Sequence, residues 1–188
     1  MSRVNQIVKR EYSTYCQLFD KVKYAYPDVI SLYADKKHNP NWSKGEFEMK
    51  CLNRPGKIKV QQKHVKKSIY AVVLLIETFM TEAICRFDSD GHMHINKHRR
   101  DYTELEERLV PTPHFHRWDE NGYEIAYTTP DVIGCAKAIH ADINVGLYHV
   151  CQQFSIFTLN EEPIQVATYE LFPSVSLKDN NKGIDFDV

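Results

Sequence analysis

The residues able to do chemistry concentrate between Arg86 and Arg117, RFDSDGHMHINKHRRDYTELEERLVPTPHFHR, which holds five of the chain's nine histidines. Four of them form two His-x-His pairs. A β-strand sends alternate side chains to opposite faces, so His92 shares a face with His94, and His114 with His116. Two such strands side by side build one imidazole-lined surface. Imidazole changes charge near neutral pH and serves as acid, base or metal ligand, whereas arginine and lysine hold phosphate.

One chemistry that fits is metal-free cleavage of RNA. It needs a base for the 2′-hydroxyl, an acid for the departing 5′-oxygen and fixed positive charge for the phosphorane. His94 and His116 are the expected acid-base pair, with His92 and His114 beside them; no cofactor is required. Arg86, Lys97, Arg99, Arg100 and Arg117 are expected to hold phosphate, and Tyr102 or Trp118 to stack a base. A second chemistry uses His92, His94, His114 and His116 as ligands of zinc or manganese in a metal-dependent hydrolase. A third outcome is a non-enzymatic protein that binds RNA or an RNA-guided effector and blocks it. The patterns GxSxG, HExxH and DxDxDG, which would point elsewhere, are absent.

A second basic segment precedes this one. Arg54, Lys57, Lys59, Lys63, Lys66 and Lys67 lie in one stretch with His64 and no acid. Lysine on an edge strand guards a sheet against aggregation, and positive charge along an extended element also tracks a phosphate backbone. Over the whole chain, 24 Lys+Arg face 25 Asp+Glu, which excludes a globally basic binder and leaves a segregated surface open.

The elements that must position these residues follow from periodicity. Apolar spacing of three and four predicts an amphipathic helix over 2–25, and a short helix over 28–34, with a loop at KKHNPNWSKG. Alternation predicts strands at 46–52, 57–65 and 83–87, and a β-branched run predicts one at 68–78. Asp88 to Gly91 reads as a hairpin turn and DENG as another. Residues 111–118 and 123–129 read as strands, and Thr129 as a helix cap. The apolar period over 132–157 predicts one long helix bent near Gly146, in which His140 and His149 pack or cap. A last strand at 164–171 and a mobile tail from about 177 complete the chain. The expectation is a single α+β domain over 1–188. Its sheet is mainly antiparallel with about five to seven strands, one N-terminal helix and one long helix. Five scattered cysteines without a CxxC pair, and no apolar run of membrane or signal length, predict reduced thiols in a soluble cytoplasmic protein.

The order RFD, HMH and PHFHR over Cys85–Trp118 resembles the central part of TumE-like toxins of toxin-antitoxin loci, with a longer charged insert, Lys97 to Val110, between the histidine segments. In size and style the chain is also similar to anti-CRISPR proteins of phages and mobile elements of Gram-positive bacteria. Both resemblances imply RNA as target: a ribonuclease toxin, or an anti-defence factor acting on guide RNA. The partners so implied are RNA, a CRISPR guide RNA or effector, a cognate antitoxin, or a second copy of the chain.

Overall fold

The computed structural model describes residues 4–35, 39–98 and 108–167. Arg99, Arg100, Tyr102 and the tail, all singled out above, lie outside the described residues. The chain runs α1 (Gln6–Arg10), α2 (Tyr12–Asp20), β1 (Lys23–Tyr26), β2 (Val29–Ile30), β3 (Tyr33–Asp35), β4 (Asn39–Cys51), β5 (Arg54–Lys63) and β6 (Tyr70–Leu75). It continues through β7 (Cys85–Asp88), β8 (His94–Ile95), β9 (Leu109–Val110), β10 (His114–Trp118) and β11 (Glu124–Tyr127). Three helices follow, α3 (Pro130–Gly134), α4 (Ala136–Ala141) and α5 (Ile143–Phe154), and then β12 (Ile156–Phe157) and β13 (Gln165–Val166).

The architecture is α+β, but the sheet is larger than expected and mixed. Nine strands form it in the order β11-β10-β7-β6-β5-β4-β1-β12, with β3 also beside β4, and β1 pairs with β12 in parallel. Period-2 alternation decides its two faces. Phe47, Met49, Ile58, Val60, Val72, Leu74, Phe87 and Phe115 point inward, where Tyr15, Leu18 and Phe19 of α2 and Leu147, Val150 and Phe154 of α5 bury them. The other face carries the histidines.

Tertiary pairing overrides several local signals. The helix expected over 2–25 breaks at Glu11 and stops at Asp20, because Lys23–Tyr26 pairs with β4. The expected short helix at 28–34 is β2 and β3, and the expected loop is, over 39–45, the first half of β4, its residues 36–38 lying outside the described residues. Turn-favouring residues there are held extended by the pairing of Trp42 through Gly45 with Lys63 through Val60. The long helix is three helices. Breaks fall at Cys135 and Asp142 rather than at Gly146, since the Asp142 carboxylate accepts the Asn144 backbone N–H at 2.8 Å and starts a new helix. Gly146 instead lets α5 lie against Tyr70, whose hydroxyl donates to the Ile139 carbonyl at 2.9 Å.

Strand β5 is interior, paired with β4 on one side and β6 on the other. Its lysines therefore do not guard an edge. The turn before it is Leu52-Asn53, both with positive φ (48° and 62°), and Arg54 already belongs to the strand. All five cysteines are free, and Cys51, Cys85 and Cys151 are buried. No described helix is long and apolar enough to cross a membrane.

Candidate functional site

Strand register assembles the site. His114 pairs with Asp88 and His116 with Arg86 across β10 and β7, and directly opposed residues share a face. Four side chains two residues apart on neighbouring strands thus converge on the outer side of the sheet. Asp88 Oδ2 lies 3.0 Å from His116 Nε2, 3.7 Å from His114 Nε2 and 3.0 Å from Arg86 Nε. Glu124 of β11 closes the edge, its Oε1 3.7 Å from His116 Nδ1 and 3.9 Å from Arg86 Nη1.

Burial opposes ionisation of Asp88, but the His116 hydrogen bond and the Arg86 guanidinium overcome it and hold the carboxyl below its usual value. An ionised carboxylate only accepts, so His116 Nε2 carries the proton and donates it. Arg86 Nη2 lies within 2.9 and 3.3 Å of both ring nitrogens of His116. The lone-pair directions of an imidazole diverge, so a group this near both nitrogens rests against the ring rather than in its plane. His114 is fixed differently: its Nδ1–H donates to the Pro111 carbonyl at 3.1 Å. Burial, and then the neighbouring His116, push its pKa down to about 4.

That shift sets a pH dependence. As pH falls below the ordinary value of 6.5, the unfolded chain takes up a proton at residue 114 that the folded protein refuses until about 4. Stability therefore drops across that window, by up to about 1.4 kcal/mol per pH unit for one proton. Melting temperatures recorded in EDTA should fall from pH 6.5 to 4, and His114→Asn should flatten the slope; an equal slope in the variant removes this assignment.

His94 reaches the cluster by another route. Its strand β8 pairs with β9, not with β7 or β10, so the two His-x-His segments are not sheet neighbours as expected. Asn96 brings it in. The buried Asn96 side chain donates to the Ala126 carbonyl and accepts from the Ala126 N–H, both at 2.8 Å, acting as one residue of strand pairing on the free edge of β11. This holds the His94 ring edge-on to His116, with centroids 5.0 Å apart, and 6.1 Å from His114. His94 is half-buried, whereas His114 and His116 are only 3% and 2% exposed. Asn96 was not legible as a site residue: an Asn before Lys reads as a turn. Asn96→Ala leaves two buried backbone groups unpaired and releases β8, and should lower any activity of His94 at least tenfold while His114 and His116 stay folded, as checked by their NMR ring signals.

The other expected residues divide. His92 is exposed in the bend before β8, and Lys97 is exposed after it. Arg117 lies on the opposite sheet face from His116, its guanidinium 5.3 Å over the Tyr127 ring. Trp118 gives its indole N–H to the Ala83 carbonyl at 2.8 Å and packs at the core's edge. His140 donates from Nε2 to the Ser89 carbonyl at 2.8 Å, a packing role as expected. Of the basic segment, Lys57, Lys59 and Lys63 share the histidine face, Lys66 pairs with Asp90 at 2.8 Å, and Arg54 donates to the Thr78 carbonyl. Asp88, noted in the sequence as part of a turn and of the RFD segment but not as a site residue, is the residue on which the cluster converges.

What the arrangement offers is a half-buried imidazole and a partly exposed guanidinium beside a buried histidine, His116, that is paired with the partly buried Asp88. Compared with known proteins, the chain matches no family model, no curated protein and no solved structure, so the chemistry of this site rests on its own geometry.

Proposed function

We propose that this protein is a ribonuclease, and that the observation carrying the reading is His94 standing edge-on to His116, whose ring both Asp88 and the Arg86 guanidinium contact. Burial, and then His116, lower the pKa of His94, so its imidazole is unprotonated at neutral pH and fit to act as a base. His94 takes the 2′-hydroxyl proton, the P–O2′ bond forms and the P–O5′ bond breaks. The proton returns to the 5′-oxygen directly or through water. Arg86, about a third exposed, faces the phosphorane charge. His116 is too buried to touch a polymer, so its role moves from the acid-base pair expected above to positioning: Asp88 holds its ring and its ring holds His94. The resemblance to TumE-like toxins and anti-CRISPR proteins supports RNA, including guide RNA, as the substrate class, and a toxin or anti-defence role inside a bacterial cell.

A second reading has its own observation. Asp88 Oδ2 stands 3.7 and 3.0 Å from the two Nε2 atoms of His114 and His116. Those distances bracket the edge of about 3.4 Å of a tetrahedron with metal bonds of about 2.0–2.1 Å. The three ligand atoms lie within 4.8 Å of one another, and the Nδ1 hydrogen bond of His114 leaves its Nε2 free to coordinate. Against zinc or manganese here, Asp88 Oδ2 already accepts from His116 and from the Arg86 guanidinium, whose charge repels a cation.

Incubation of the protein with a tenfold excess of mixed structured RNA in EDTA separates the readings. Fragments with 2′,3′-cyclic phosphate ends support the metal-free ribonuclease. Cleavage that appears only with added Zn²⁺ or Mn²⁺ supports the metal-dependent hydrolase. Intact RNA under every condition overturns both and leaves the non-enzymatic binder.

A further inference from the structure

The outer face of the sheet continues well beyond the histidine cluster. One row of directly paired residues runs Glu46, Lys59, Val73, Arg86, His116, and a second runs Tyr33, Lys44, Gln61, Ala71, Asp88, His114. Lys59 and Arg86 therefore sit on the same face, two strands apart. At the far end of this face the side chains become aromatic. Tyr24 and Tyr26 pair with Lys50 and Glu48, Tyr33 with Lys44, and Trp42 with Lys63.

Such residues normally go inside. Here Tyr33 is 74% exposed and Tyr24 and Tyr26 are exposed as well, while the opposite face of the same strands buries Ala25, Phe47 and Met49. Lysines alternate with the rings: five on β4 and β5 against two glutamates. Both acids are engaged locally. Glu46 takes Lys57 at 2.9 Å and Glu48 takes the Tyr26 hydroxyl, which leaves Lys59, opposite Glu46, without an ion-pair partner among the described residues. Lys63 lies 5.6 Å over the Trp42 ring. Because β5 is interior, protection of a sheet edge explains none of this.

We infer that this face is a platform for single-stranded RNA that leads into the histidine site, a reading that rests on the ribonuclease assignment and specifies its substrate. Flat rings take unpaired bases by stacking, which a duplex forbids because its base faces are already covered, and the interleaved lysines take the phosphates. Along the second row Tyr33 is four strand spacings from Asp88, about 19 Å at roughly 4.8 Å per strand. A single strand of about 4–16 nucleotides, the range that such surfaces bind, covers that span.

The test measures binding, in EDTA, of a fluorescein-labelled strand of about 12 nucleotides with 2′-O-methyl sugars, which cannot be cleaved, and of the same sequence as a duplex. The single strand should bind at least tenfold more tightly than the duplex. Tyr33→Ala, an exposed site whose replacement leaves the core intact, should weaken it about tenfold, within the range measured for loss of one stacked base. Lys59→Ala should reduce the salt slope by about 0.7. Equal affinity for the duplex, absence of binding, or wild-type affinity in both variants overturns the platform. Cleavage assays keep the two readings apart: a protein that binds through Tyr33 but cuts nothing loses the ribonuclease assignment alone, and variants that cut with unchanged KM lose the platform alone.

Discussion

For the ribonuclease proposed above, His94→Ala should lower RNA cleavage by about 10²- to 10⁴-fold, the contribution of a positioned general base, and leave the melting temperature close to that of the parent. The size follows from position. His94 is half-buried rather than sealed, and its imidazole is the one in the cluster that a polymer can reach, since His114 and His116 are buried beneath it. Its pKa is lowered by burial and by His116 from the usual 6.5. A base must be unprotonated to act, so the rate should fall as pH drops through that lowered value, and the acid limb of the profile should lie below pH 6.5. His92→Ala, in the exposed bend two residues earlier, serves as the control and should cleave like the parent. Full activity in His94→Ala would remove the assignment; equal losses in both variants would point to the segment's fold instead of the imidazole.

Lys23→Met should cost about 3–5 kcal/mol of folding stability, from about 1–3 kcal/mol for each buried carbonyl left unpaired. Lys23 has no solvent exposure. Its ammonium donates to the carbonyls of Phe19, Lys21 and Phe154, each at 2.8 Å, so all three N–H groups are used. Phe19 lies in the last turn of α2, Lys21 is its C-cap, and Phe154 is the last residue of α5. One cation thereby satisfies orphan acceptors at two helix C-termini, where the partial charge is negative. Methionine matches the stem in length and removes every donor, leaving those carbonyls unpaired in a closed junction. Urea titrations of the two proteins measure the difference; a change below about 1 kcal/mol, the scale of one ordinary hydrogen bond, would show that the junction relaxes without it.

Both residues show where reading the sequence stops. His94 stood out because its partner two residues away and the second pair at 114 and 116 obey the strand period, which every extended backbone imposes. Lys23 gave no such sign. It falls in a segment whose apolar spacing reads as helix, and its use depends on α2 and α5, 131 residues apart in the Lys23–Phe154 contact, ending at one point.

The sequence by itself indicated the consecutive strands β4 to β7, the β10-β11 hairpin and the shared face of His114 and His116, because side-chain alternation and turn chemistry are local. The hairpin expected at Asp88 to Gly91 does not form, since β7 pairs with β10 and β8 with β9. The sequence also placed Arg86 in the site. Tertiary structure decided that β7 would lie beside β10, which makes Asp88 the centre of the cluster, and that Asn96 would dock β8 on the edge of β11. It decided as well that β5 would be interior and that β1 and β3 would turn tyrosines outward beside the lysines of β4. Strand order and burial depend on long-range closure and on which face the helices cover. Neither is encoded in any window of neighbouring residues, so the identity of the chemical groups was legible and their meeting was not.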